Sequence, residues 1–314
     1  MDVVAIGEVL IDLTQTGYDR AGVPQFAANP GGAPANLAVA ASRLGASAAL
    51  ISKVGQDGFG RYLRRVLVEN RVDVSALVED EEAHTTLAVV SVDPEGERDF
   101  MFYRDPGADS LLLKDEIPLG LLKEARILHF GSVSLTREPS RTTTLCAVEA
   151  ARGMGAVITY DPNYRANLWP DRETAIEQMR EPLSMVDILK ISDEELPLIA
   201  GTDDLEQGAL ALTQMGIRIV LITLGADGVY YRFDGRTGHI PGVPCKVGDT
   251  NGAGDTFFGA VLARLSKFEG LDAVTPDDLE PILAYANRAA SITTSRHGAI
   301  PAMPTLTEME GLDR

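Results

Sequence analysis

Cysteine is nearly absent: only Cys146 and Cys245 occur in 314 residues. Without CxxC spacing they make neither a disulfide framework nor a zinc site, and they fit a reducing compartment. Basic charge is also short. Lys and Arg number 28 against 46 Asp and Glu, a formal net charge of −18. That disfavours a nucleic-acid partner, which needs basic patches, and an anionic membrane surface for the same reason. It leaves a nucleotide substrate open, because local dipoles and Mg²⁺ can override the global sign. No apolar run approaches the roughly 20 residues of a membrane span. The opening "MDVVAIGEVLIDL" lacks a basic start and reads as a buried strand rather than a signal peptide. The expected location is the cytoplasm.

Several catalytic signatures are missing too. There is no GxxxxGK[ST], which disfavours a P-loop NTPase. "AIGEVLID" holds one glycine, so the first strand carries no dinucleotide fingerprint. No GxSxG elbow occurs. His84, His129, His239 and His297 show neither HExxH nor paired spacing, and none is assigned chemistry.

What is present is a rhythm of short β-branched runs, "VVAI", "AALISKV", "RILHFGSV", "AVITYDP", "DILKIS" and "IRIVLITLG". Between them lie helical stretches, "APANLAVAASRLG", "FGRYLRRVLVEN", "SRTTTLCAVEAARGMG" and "ETAIEQMREPLSMV". Strands alternating with helices predict an α/β fold, with a mostly parallel sheet and helices on both faces. Asp161, Ser192 and Thr223 fall at the carboxyl ends of three such strands, where open α/β sheets bind ligands. Residues 13–30 and 85–104 break the rhythm. The second reads as a hairpin around Asp93-Pro94-Glu95-Gly96, and together they predict a small β flap.

"VGDTNGAGDTFFGAVLARL", residues 247–265, places Asp249 and Asp255 among Gly248, Gly252 and Gly254, just before an apolar helical run. A helix starting near Gly252–Asp255 has amide groups without intrahelical partners and a positive dipole end. That is an anion site. An acid facing it, Asp255, makes sense as the base for a nucleophile that attacks the anion, the layout of phosphoryl transfer. Taken alone, the same residues also suit a turn and a first-turn carboxylate.

"DTNGAGDTFFGA" resembles the carboxy-terminal signature of the ribokinase-like (phosphofructokinase-B type) sugar kinases. "NPGGAPANLAVAASRLGASAALISKVGQDGFG", residues 29–60, resembles their amino-terminal signature. Two long signatures in the right order along nearly the whole chain make chance agreement remote. The resemblance implies one ribokinase-like kinase domain over residues 1–314: a Rossmann-like sheet with a small β lid near residues 13–30 and 85–104. It implies phosphorylation of a sugar hydroxyl by ATP with Mg²⁺, with Asp255 as base and Gly252, Ala253 and Gly254 as anion hole. Asp12, Gly31, Gly32 and Asn36 match the sugar contacts.

"FMFYRDPGADSLL", "HFGSVSLTREPSR" and "YDPNYRANLWP" are similar to fructokinase wording. Tyr103, Arg104, Asn163 and Arg165 within them also have counterparts in 2-keto-3-deoxygluconate kinases. An arginine there would grip a substrate carboxylate, or else contact phosphate or order the lid. The expected substrate is D-fructose, phosphorylated at O6, with the keto acid as the alternative and a nucleoside or ribose further behind.

On the nucleotide side the resemblance places Lys190, Ser192, Thr223, Gly225, Gly228 and Asn287. Glu195 would order Mg²⁺-bound water. Asp249 and Ser295, with Gly298, fall where many relatives hold K⁺. The exposed strands of the flap suggest a homodimer.

Overall fold

A computed structural model describes residues 1–92 and 98–311. Its fourteen strands are β1 (Val3–Ile6), β2 (Leu10–Tyr18), β3 (Pro24–Gly31), β4 (Ala48–Gly55), β5 (Val72–Asp73), β6 (Leu77–Asp80), β7 (Leu87–Val92) and β8 (Arg98–Tyr103), then β9 (Ile127–Gly131), β10 (Val157–Asp161), β11 (Ile188–Ser192), β12 (Ile219–Thr223), β13 (Val229–Phe233) and β14 (Arg236–Ile240). Ten of them form one sheet, in the order β14-β13-β12-β11-β10-β9-β1-β4-β5, with β6 added to β4. The strands from β12 through β9 and β1 to β4 run parallel; β12, β13 and β14 form an antiparallel end. The sequence shows near-continuous apolar runs because both faces of this sheet are covered. Ile127, Ile188, Ile219 and Leu221 face a layer containing Phe258, Val261 and Leu283. Their neighbours Leu128, Leu189, Val220 and Ile222 face Val148, Met179 and Leu212 on the other side.

The helices begin where the sequence says they should. Gly32 caps Ala33–Arg43 at φ 99, with a proline in the first turn. Asp57 caps Gly58–Glu69 by accepting from the Gly60 amide. Thr275 and Asp278 form a capping box for Pro276–Thr294. One stretch departs from expectation. "ETAIEQMREPLSMV" is not one helix: Arg172–Arg180 is helical, and Glu181–Met185 tightens into a 3₁₀ turn at Pro182, which lacks the amide that would continue the ladder. No helix among the described residues is long and apolar enough to cross a membrane.

The two segments that broke the rhythm form a separate four-stranded sheet, β3-β2-β7-β8. It starts slightly earlier than expected, at Leu10. The turn Asp93–Gly96 lies outside the described residues, but β7 and β8 pair antiparallel on either side of it, Leu87 opposite Tyr103 and Ala88 opposite Phe102. Alternation then divides this sheet's faces. Ile11, Leu13, Ala28 and Leu87 pack on Leu63 and Val66 of the helix Gly58–Glu69. Asn29, Asp12, Ala88 and Phe102 form one row across the opposite face.

Candidate active site

That row looks onto a cavity lined by Glu8, Asp12, Asn36, Phe102, Asn163 and Arg165. Gly32, Asn251 and Asp255 also reach it. Of the chain segments that meet here, three set the polar groups around Asp255.

The first is the start of the helix Ala253–Leu265. Gly252 precedes it at φ 74, a left-handed conformation that favours glycine. A Cβ there would also lie 2.8 Å from the Ala299 Cβ. The helix begins at once: the Thr256 amide donates to the Gly252 carbonyl at 2.8 Å. The Ala253 amide reaches back to Thr250 at a long 3.3 Å, and the amides of Gly254 and Asp255 find no acceptor among the described residues. Lys190 stands beside this end, because a Cβ on Gly254 would lie 3.1 Å from its Nζ. Lys190 Nζ donates to Asp161 Oδ2 at 2.8 Å. Asp161, Glu195 and Asp255 raise the lysine's pKa against the opposing effect of burial. A buried cation thus adds to the dipole at the helix end.

The second part is the helix Ala33–Arg43. A Cβ on Gly259 would lie 2.7 Å from the Ala40 Cβ and 2.9 Å from the Leu37 carbonyl oxygen. The two helices therefore cross in close contact, and Asn36 Nδ2 donates to Asp255 Oδ2 at 2.8 Å. Burial raises the Asp255 carboxyl above its ordinary value, while Asn36, Lys190 and Arg165 pull it down. This balance suits a base that must be ionised yet retain proton affinity.

The third part is Asp12 on β2. Gly31 leaves it room: a Cβ on Gly31 would lie 2.3 Å from Asp12 Oδ2. Burial pushes Asp12 up to about 6, against a long hydrogen bond from Asn251 and the charge of Arg165. Arg165 is exposed, and among the described residues its guanidinium donates to the nearby carbonyls of Asn163 and Tyr164.

Two expected sugar residues are placed elsewhere. Tyr103 is 59% exposed and lies on the other face of the small sheet. There it lines a separate cavity of about 900 Å³ with Phe59, Tyr62, His84 and Leu87, away from Asp12 and Asp255. Its neighbour Phe102 takes the cavity position, because side chains alternate along β8. Arg104 is buried and committed: it bonds Asp109 at 2.8 Å, Thr136 at 2.7 Å and the Val133 carbonyl at 3.3 Å. Glu8, Phe102 and Asn251 were not singled out from sequence. Their signals were an acid inside the apolar "IGEVLID", and an asparagine inside the glycine-rich "DTNGAGD".

Asp161, Ser192 and Thr223 do end parallel strands, with Ser192 beside Thr223. Glu195 accepts from the Tyr164 amide at 2.7 Å and the Ser192 amide at 2.8 Å, so both its oxygens hold backbone. Gly225 and Gly228 have φ of 57 and 98, and a Cβ on Gly228 would meet the Ile240 carbonyl at 2.2 Å. Asn287 fixes the end of β14 through the carbonyls of Ile240 and Pro241. Asp249 accepts from the amides of Asn251 and Gly298, tying the two loops together. The Ser295 hydroxyl instead donates to Ile292. No group of three or more His, Cys, Asp or Glu side chains that could hold a metal ion occurs among the described residues.

The model of the pfkB family of carbohydrate kinases matches residues 1–306. The chain belongs to that family. It is 43% identical to fructokinase-1 of Zea mays, over 98% of this chain and 96% of the relative. The structure of a Xylella fastidiosa fructokinase with bound ATP superposes with a TM-score of 0.92 at 32% identity, covering 99% of this chain and 98% of that one. A Vibrio cholerae fructokinase with fructose, ADP and calcium bound gives 0.88 at 31% identity, covering 98% of each. The family membership, the two-sheet architecture and the sugar-kinase class expected from the sequence all agree.

Proposed function

We propose that this chain transfers the γ-phosphoryl group of ATP to the 6-hydroxyl of D-fructose. The observation that carries the reading is the Asn36–Asp255 contact at the open amide end of the helix Ala253–Leu265, on a cavity shared with Asp12. The names of the relatives and structural neighbours supply fructose and ATP.

In this reading Asp12, Gly31, Gly32, Asn36 and Asn163 hold the sugar, with Phe102 closing the cavity from the small sheet, which serves as a lid. The O6 proton passes to Asp255 as the bond from O6 to the γ-phosphorus forms. The bond from that phosphorus to the bridging oxygen breaks, and ADP leaves. The amides of Gly254 and Asp255, with Gly252 and Ala253 leaving space around them, meet the charge on the transferred group. Lys190 adds its cation. For a loose transition state, such positioning and charge supply most of the catalysis.

ATP would lie over the carboxyl ends of β11 and β12, against Ser192, Thr223, Gly225, Gly228 and Asn287. Mg²⁺ neutralises phosphate charge when bound with the nucleotide. The residues fit a metal carried by phosphate and water, since both Glu195 oxygens already hold amides. The Asp249 loop fits K⁺ held by oxygen: the carbonyls of Ser295 and Arg296 crowd Gly248, 3.0 and 3.1 Å from where its Cβ would lie. The kinase unit spans residues 1–314 and works in the cytoplasm as a homodimer. The pairing surface is the edge strand β8 of the small sheet, where Met101 and Tyr103 are exposed.

A second reading, 2-keto-3-deoxygluconate as acceptor, is favoured by one observation: Arg165 lines the cavity, and among the described residues its guanidinium bonds nearby carbonyls and no carboxylate. ADP release from Mg-ATP with each sugar, at equal low concentration, separates the two. Release with fructose alone supports the first reading; preference for the keto acid means that Arg165 reads a carboxylate; release with neither removes both.

A further inference from the structure

Glu8 is an acid in an apolar place. It follows β1, is 3% exposed, and lines the same cavity as Asp12 and Asp255. One oxygen, Oε1, accepts from the Ala33 amide at 3.0 Å and so holds the start of the helix that carries Asn36. The other, Oε2, is buried with no hydrogen-bond partner among the described residues. Asn36 Oδ1, on the same cavity, is buried and unpartnered as well. An unmet buried polar atom is costly, so two on one cavity wall call for a polyhydroxylated occupant.

We propose that Glu8 is a substrate-contacting residue, whose Oε2 hydrogen-bonds one hydroxyl of the bound sugar. The inference rests on the reading of this cavity as a sugar site. The nearby cation does not meet that oxygen instead, because Arg104 directs its N–H groups to Asp109, Thr136 and Val133. Arg104 and Asp109 act on Glu8 only through charge, in opposite directions. Arg104 does not line the cavity; its hydrogen bonds are to Asp109, Thr136 and Val133.

The test compares wild type, Glu8→Ala and Glu8→Gln with fructose and with a set of fructoses each lacking one hydroxyl, reading KM for sugar, KM for ATP, kcat and Tm. Glu8→Ala is expected to raise KM for fructose by about ten- to a hundredfold, with KM for ATP within about twofold. For one deoxy analogue the ratio of variant to wild-type KM should collapse to about one, since the partner hydroxyl is already gone. Glu8→Gln keeps the shape and the Ala33 contact, so it folds even where alanine does not. Its smaller rise in KM should single out the same analogue. A ratio that is flat across all analogues, or a fructose KM left unchanged, overturns the inference and leaves Glu8 as a clasp for Ala33 alone. The wild type is assayed first. If it does not phosphorylate fructose, the sugar reading has failed separately, and the same comparison is made by calorimetry with whichever sugar binds. If no sugar binds, both ideas fall.

Discussion

Asn36 Nδ2 lies 2.8 Å from Asp255 Oδ2, on two helices held together at Gly259. This bond fixes the direction of the acid, whose other oxygen would take the substrate proton in the proposed reaction. Asp255→Asn should keep the fold and lower kcat by roughly 10²–10⁴. Thermal unfolding and steady-state turnover check it; near-normal kcat would remove Asp255 as the base.

Gly259 sets the spacing of those helices. Gly259→Ala forces a methyl into contact with Ala40 and Leu37, which should destabilise by about 1–3 kcal/mol. kcat should fall as Asn36 shifts from Asp255. Unfolding in urea together with turnover checks both effects. An alanine variant as stable and active as wild type would mean that the helix contact is slack.

Lys190 lowers the proton affinity of Asp255. Lys190→Met removes that cation, so Asp255 must rise further and be deprotonated only at higher pH. The acid limb of the kcat profile should move to higher pH, with kcat at its plateau down by roughly 10² from the lost charge at the helix end. A limb that stays in place would show that the two groups are not in electrical contact during turnover.

Burial pushes Glu8 up to about 7 from an ordinary 4.5. A buried acid with a raised value holds its proton in the folded chain over a pH range where the unfolded chain has lost it. Its contribution to stability is therefore full below about pH 4.5 and is lost as pH rises to about 7. Glu8→Gln has no such slope. The variant should match wild type in stability near pH 4.5 and gain on it by up to about 3 kcal/mol at pH 8. Denaturant melts at the two pH values measure the difference; a constant gap would mean that Glu8 is ionised throughout.

Phe102 and Tyr103 are adjacent yet face opposite ways. Phe102→Ala should raise KM for sugar by roughly tenfold through lost burial over the cavity. Tyr103→Ala should leave sugar kinetics unchanged and act, if anywhere, on subunit association, which sedimentation reads.

These contrasts also show what the sequence could and could not convey. Asp161, Ser192 and Thr223 were legible as strand ends, because runs buried on both faces stop abruptly at polar residues. The helix start at Gly252 was legible from glycines before an apolar run. The small sheet was visible as a break in rhythm, but not its facing: a shift of one residue exchanges Phe102 for Tyr103, and only register with Ala88 and Asp12 decides. Arg104 read as a ligand grip through the likeness of "FMFYRDPGADSLL" to sugar-kinase wording. Its buried partner Asp109 comes from a 3₁₀ turn that no local pattern ties to it. Glu8 was overlooked because one acid in an apolar stretch looks like a strand's solvent edge until the fold closes over it.

Asp12 rides on the small sheet, and Asp255 on a helix of the large one. Their separation is thus a property of how the two sheets are set, not of either loop. Under the proposed roles, a sugar that satisfies Asp12 in a slightly displaced pose would be held, but its hydroxyl would miss the acid. Misfit molecules would then be tolerated as guests and refused as reactants, so that discrimination among sugars would fall on turnover more than on occupancy.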